Sequence, residues 1–305
     1  MNTKQVTCEK THVYFDRSIP PAAVVEPGEL VLIETLDACF GKVRDLKGLL
    51  AYRSVQKAPV NPLSGPVYVR GAEPGMTLVA EIVGIDLDDT GFQIIGPSRG
   101  IVRDEIKDTT VYPVSVKDGM VLLPNGIQVR ADPVVGTFGN APAGEPTNLP
   151  NRLGGNCDIP FVKRGCKIYI PVEVPGGIFF LGDLHACQGD GEVVGAPEIG
   201  GRTLVRFTLQ AGRPEKWFMI EDDSRWHSAC SAETESEAAR IAVFQNAGFI
   251  SRTYGITLKD ALILLTLCGR ITVSRTGMWG PADPVVCASF SKEDVHRALL
   301  NCVRT

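Results

Sequence analysis

The chain has 305 residues, 44% hydrophobic and 22% charged, with a formal net charge of −4. That composition fits a globular protein with enough chain for a sizeable core, and its acidic balance argues against a nucleic-acid partner, which calls for a basic face. The longest apolar run, ALILLTLC at residues 261–268, is far too short to span a bilayer, which argues against a membrane partner as well.

The opening stretch MNTKQVTCEKTHVYFDRS is polar and lacks the apolar segment of a signal peptide, so the cytoplasm is the expected compartment. Up to residue 212, turn dipeptides separate short apolar runs: EPGELVLIETLD, EPGMTLVAEIVGID, DGMVLLPNGIQV and GCKIYIPVEVPGGIFFLGD. Runs of this length bounded by Pro-Gly, Asp-Gly and Asn-Gly predict strands and hairpins, and no helical periodicity interrupts them. The first two runs both begin Glu-Pro-Gly, at Glu26 and Glu73, and each carries a glutamate eight residues later, Glu34 and Glu81. Shared turn chemistry accounts for the echo better than an internal repeat.

From residue 213 the texture changes. ETESEAARIAVFQNAGFISRTYG has acids in its first turn and clustered apolar positions, which predicts a helix. TLKDALILLTLCG predicts a second, with Thr257 as N-cap and Gly269 as stop. The strand-like runs RITVSR and PVVCASF follow, then a short helix in SKEDVHRALL, where Ser291 and Asp294 form a capping-box pattern. The expected fold is mainly β: a β-sandwich-like region over residues 1–212, then a smaller α+β region over 213–305, packed against it or continuous with it.

The nine cysteines are scattered and no pair has C-x-x-C spacing, so they read as small buried hydrophobes rather than zinc or redox ligands. Cys187 alone draws interest, through its neighbours in GDLHACQGDGEV, residues 182–193. Asp183, His185, Gln188, Asp190 and Glu192 all fall in that stretch. In an extended chain Asp183 and His185 project to the same side, where they suit a pair of metal ligands, an oriented general base or a structural hydrogen-bond cluster. Gly189 and Gly191 permit a tight turn that brings Asp190 and Glu192 back toward them, and Cys187 points the other way. His12, His227 and His296 are expected at the surface or on a helix, with His227 in a solvated loop.

GDLHACQGDGEV resembles the signature G-D-x-H-A-x-x-G-D-G-E of the acetamidase/formamidase family. PPAAVVEPGELVLIETLDACFGKV, SGPVYVRGAEPGMTLVAEIVGI, VVGTFGNAPAG, GGNCD and GITLKDALILLTLCGRITVSR are similar to further family segments in the same order. The resemblance implies hydrolysis of a short linear carboxamide to carboxylate and ammonia, a β-rich fold, and a divalent metal, zinc before calcium. It implies metal ligands at His185, Asp183, Asp158 and Asp37, proton handling by Glu192 with Asp190, and substrate contacts from Asn156 and Gln188. One histidine and two or three carboxylates can hold a zinc and leave a position open for water. Asp37 can equally cap a turn, and Asn156 with Asp158 can form an Asx-turn.

Two departures from the family pattern lie beside this set. Leu153 stands where many members have His or Asn, and the run to Glu198 is one residue short, which predicts that Glu198 faces away from the site. The small-molecule amide is the expected partner, in a homo-oligomeric enzyme. The other reading is a non-catalytic relative that retains the metal and binds a small molecule.

Overall fold

Two long antiparallel strands, Thr77–Ile95 and Glu198–Gln210, form the spine of the molecule, paired from Phe92 opposite Glu198 to Thr77 opposite Gln210. The computed structural model describes residues 3–56, 58–97, 99–102, 105–141, 145–212, 215–276 and 283–300. Leu30–Thr35 lines the other edge of Glu198–Gln210, with Thr203 opposite both Ile33 and Ile85. Leu30–Thr35 alternates strictly, burying Val31, Ile33 and Thr35, because successive side chains on a strand point to opposite faces. The two Glu-Pro-Gly turns that feed these strands are built alike. Glu29 N bonds to Glu26 O at 3.1 Å and Met76 N to Glu73 O at 3.0 Å.

Phe179–His185 is buried at all seven positions. It pairs with Val134–Asn140 on one side and with Leu63–Val69 and the start of Glu198–Gln210 on the other. A strand enclosed this way loses the apolar/polar alternation and reads as a continuous apolar run. Its Phe179 meets Phe207 edge-on at 5.1 Å, and Phe138 meets Phe218 likewise at 5.2 Å. These rings sit in the main core with Val31, Ile33, Leu78 and Ile82.

The predicted helices form as Glu235–Tyr254, Leu258–Cys268 and Lys292–Leu299, with Thr234, Thr257 and Ser291 as N-caps that accept from backbone N–H groups three residues on. The first two pack on the strands Arg225–Ser231 and Val285–Ser291, burying Ala247, Ile250, Ala261 and Phe290. Gly269–Arg275 pairs with Val285–Ser291. The ladder crosses the expected boundary: Lys167–Pro171 pairs with Met219–Glu221, which pairs with Arg225–Ser231. Residue 213 itself lies outside the described residues. No helix among the described residues is long and apolar enough to cross a membrane.

Two expectations are corrected. A helix, Leu46–Ser54, interrupts the strand-rich part, its N-cap Asp45 accepting from Gly48 N at 2.6 Å. It buries only Leu49 and Tyr52, too few positions to write a period into the sequence. His227 is not in a solvated loop but 1% exposed on the strand Arg225–Ser231. Its Nε2 lies 2.8 Å from Asp222 Oδ2, and its ring stacks on Phe161 at 4.3 Å.

Candidate active site

The site grows from one row of residues across the sheet. His185 stands directly opposite Glu198, and directly paired residues of antiparallel strands share a face. Glu198 Oε2 therefore lies 3.8 Å from His185 Nε2. Asp183, two residues before His185, places Oδ1 at 3.9 Å from the same nitrogen, and Asp158 Oδ1 lies at 3.9 Å as well. Ligand-capable atoms of Asp158, Asp183 and His185 all fall within 4.8 Å of one another. Such separations exceed hydrogen-bond range.

Each of these groups is held from behind. Gln188 Nε2 donates to Asp158 O, so its Oε1 faces His185 Nδ1, 2.7 Å away, and accepts from it. The proton is thereby assigned to Nδ1, and Nε2 presents its lone pair to the carboxylates. Asp183 Oδ2 accepts from Asn61 Nδ2 at 2.7 Å and Thr137 Oγ1 at 2.9 Å. The Asn156 amide nitrogen faces the two acids, 2.9 Å from Asp158 Oδ1 and 2.9 Å from Asp183 Oδ2. Arg275 donates from Nη1 to Asn156 O at 2.7 Å and sets Nε 3.4 Å from Asp158 Oδ2. In contrast, Asp183 Oδ1, Glu192 Oε2 and Glu198 Oε2 are buried with no hydrogen-bond partner.

Three of the acids sit on left-handed backbone: Asp158 at φ 47°, Asp183 at 59° and Glu192 at 46°. Non-glycine residues rarely adopt that region, and such strain concentrates at functional sites. Gly136 passes beneath them; a Cβ there would lie 2.7 Å from Asp158 Oδ1 and 2.8 Å from His185 Cε1. Only glycine lets this strand approach so closely.

Burial pushes the Glu192 and Glu198 carboxyls well above the usual carboxylate range, reinforced by the charge of Asp158 at Glu192 and of Asp183 at Glu198. It raises Asp183 too, against the opposing pull of His185. A buried polar atom with no partner is costly, and the ligand atoms of Asp158, Asp183 and His185 lie close enough together to hold a metal ion. The groups line a cavity of about 170 Å³, shared with Arg99, Phe92 and Ile94.

The sequence-predicted residues divide. Asp158, Asp183, His185 and Asn156 come together, Glu192 lines the same cavity, and Gln188 lies behind the imidazole rather than in the cavity. Asp37 is not with them. Its Oδ1 accepts from Cys39 N and Gly41 N at 3.0 and 2.8 Å, and its Oδ2 pairs with Arg44 at 2.6 Å, so the turn uses the whole carboxylate. Asp190 is exposed and borders an outer groove with Cys187, because the Asp190–Gly191 turn carries it away from the cavity. Burial raises the Cys187 thiol and, aided by Glu198 and Asp37, pushes Cys39 at the cavity wall to about 12. Neither suits a nucleophile.

Glu198 faces the site, contrary to the expectation from the shortened run, because the register pairs it with His185. Leu153 is 4% exposed and packs in the main core. Arg275, Asn61 and Thr137 carry no local motif. Gly136 is one glycine among 32.

The sequence model of the Acetamidase/Formamidase family matches residues 2–145 and 120–222. The chain is 28% identical over 258 residues to a formamidase of Methylophilus methylotrophus, covering 65% of this chain and 63% of that protein. It is 28% identical over 273 residues to an acetamidase of Mycolicibacterium smegmatis, covering 68% and 67%. The chain thus aligns with roughly two thirds or less of the length of these curated relatives. Among solved structures, an acetamidase from Bacillus halodurans superposes with a TM-score of 0.88 at 28% identity, over 96% of this chain and 99% of that one. With the family model spanning most of the chain and the fold shared over nearly all of it, this chain belongs to the acetamidase/formamidase family.

Proposed function

We propose that this chain hydrolyses the C–N bond of a small linear carboxamide, formamide- or acetamide-like, to carboxylate and ammonia, using zinc held by His185, Asp183, Asp158 and Glu198. The observation that carries the reading is the convergence of Asp158, Asp183 and His185 within 4.8 Å. The donor set fits a small divalent cation. The His185 Nε2 lone pair faces acid oxygens, and Asp183 Oδ1 and Glu198 Oε2 have no other partner. One nitrogen and a few oxygens form an ordinary zinc donor set.

When bound, the metal polarises the amide carbonyl and acidifies the attacking water. The chain's own residues do the rest. Gln188 holds the imidazole in its ligating tautomer, and Asn61 with Thr137 anchors one oxygen of Asp183 so that the other is aimed inward. Arg275 and Asn156 orient Asp158, with Arg275 Nε beside Oδ2 and the Asn156 amide nitrogen beside Oδ1. Glu192, which lines the cavity and whose Oε2 has no hydrogen-bond partner, takes the proton of the attacking water and delivers it to the departing nitrogen. A metal-retaining binder has no use for that extra buried acid, which favours the enzyme. A cytoplasmic homo-oligomer is the setting expected for it.

Elemental analysis and ammonia release from formamide, acetamide and propionamide test the reading. Wild type should carry one divalent metal per chain and lose activity to a chelator. His185→Ala should carry none. Equal metal in both proteins, or activity indifferent to chelation, overturns it.

A further inference from the structure

The register that assembles the centre also decides what lies beside it. His185 faces Glu198 across one strand pair, and Glu198 faces Phe92 across the next. The row therefore passes from imidazole to carboxylate to phenyl ring over three neighbouring strands, on one face of the sheet. Ile94 follows Phe92 by two residues and shares its side of the strand. Both line the cavity, together with Ala38 and Val60. Phe92 and Ile94 are 1% and 3% exposed and are backed by Leu49, Tyr52 and Val111, and a close-packed backing yields little. The cavity, about 170 Å³, is well below the roughly 300–1,000 Å³ of drug-sized ligand pockets.

An amide entering this space has one orientation that costs little. Its oxygen and nitrogen find partners among the acids, His185 and the other polar residues of the lining, whereas an amide group laid against the side chains of Phe92 and Ile94 would be buried unpaired. Its acyl carbon chain then runs along the row, toward the phenyl ring. We infer that Phe92 and Ile94 form an acyl-chain wall that sets the substrate's length, holding the enzyme to formyl, acetyl and similarly short acyl groups. The inference rests on the amidase reading and adds to it the residues that select among amides.

The test compares kcat/KM for formamide, acetamide and butyramide in zinc-loaded wild type, Ile94→Ala, Ile94→Val and Phe92→Leu, with circular dichroism to confirm folding. A pocket enlarged by a few carbons should raise the butyramide-to-formamide ratio roughly tenfold or more in Ile94→Ala, mainly through KM. Ile94→Val, which removes one methyl group and keeps the fold more securely, should move the ratio the same way by less. Calorimetry gives a second readout: butyrate, the carboxylate product, should bind Ile94→Ala more tightly than wild type. Folded variants that hydrolyse formamide yet keep the wild-type ratio overturn the wall. Wild-type protein that releases no ammonia from any of the three amides overturns the amidase reading and the wall with it, so the formamide reaction tells the two failures apart.

Discussion

Replacing Gly136 with alanine adds one carbon to the floor of the site. That Cβ would lie 2.7 Å from Asp158 Oδ1, 2.8 Å from His185 Cε1 and 2.9 Å from Asp183 O, whereas ordinary contact begins at 3.4 Å. The differences require shifts of about 0.7, 0.6 and 0.5 Å, comparable to or beyond the roughly 0.5 Å tolerance of a working site. Neither the acid nor the imidazole can retreat freely, since Arg275 and Gln188 hold them from the far side. Overpacking of this kind costs about 1–3 kcal/mol of stability. Displaced ligands should lower zinc affinity roughly 10- to 100-fold, and misplacement approaching 1 Å should lower turnover on the order of a hundredfold. Gly84→Ala is the control, since a Cβ at Gly84 meets nothing within 4 Å. Thermal unfolding of chelated protein isolates the packing cost, competition with a chromogenic chelator gives the zinc affinity, and ammonia release gives turnover. A Gly136→Ala protein indistinguishable from Gly84→Ala in all three would refute the reasoning.

Glu192→Gln keeps the shape and removes the base. Turnover should fall by about a hundredfold to ten-thousandfold with metal content near wild type, while loss of the metal would make Glu192 a ligand instead. Arg275→Met removes the buried cation beside Asp158, and breaking such a pair costs about 3–5 kcal/mol. On the proposed reading a bound divalent metal would offset the same acid, so the drop in Tm should be larger in chelated than in metal-loaded protein; equal drops would argue against that compensation. Asp222 is held below the usual carboxylate range. Burial alone would raise it, but bonds from His227, Ser224 N and Arg225 N outweigh that. A folded-state pKa below the unfolded one gives stability that is present above the unfolded value and lost as pH falls through the folded one. Asp222→Asn should therefore be less stable than wild type at pH 7, with a gap that narrows below about pH 4; urea unfolding giving a constant gap down to pH 3 would contradict it.

Local signals served where local physics decides. Thr257 and Ser291 cap the helices they mark, because a cap needs only its own side chain and an N–H three residues on. The two Glu-Pro-Gly turns close with the same bond for the same reason. The helix Leu46–Ser54 escaped notice because it buries just two side chains. Asp37 and Asp190 show the limit of carrying roles along a motif. Each stands where the family pattern has an acid, yet one carboxylate is consumed by a turn and the other points outward.

By itself, the sequence determined a mainly β chain closed by capped helices, and a family signature that brings an aspartate and a histidine two residues apart on one strand. Strand period and turn chemistry are properties of neighbouring residues, so they can be read along the chain. Only the tertiary structure decided which other residues join that pair. Glu198 enters because its strand pairs in register with His185, and one residue of slip would have turned it away. Arg275 enters from a strand more than a hundred residues beyond Asp158, and Gly136 matters through the atoms it leaves room for. Cross-strand register and close approach of backbones are set by how the whole sheet closes on its core, and no stretch of sequence carries that information alone.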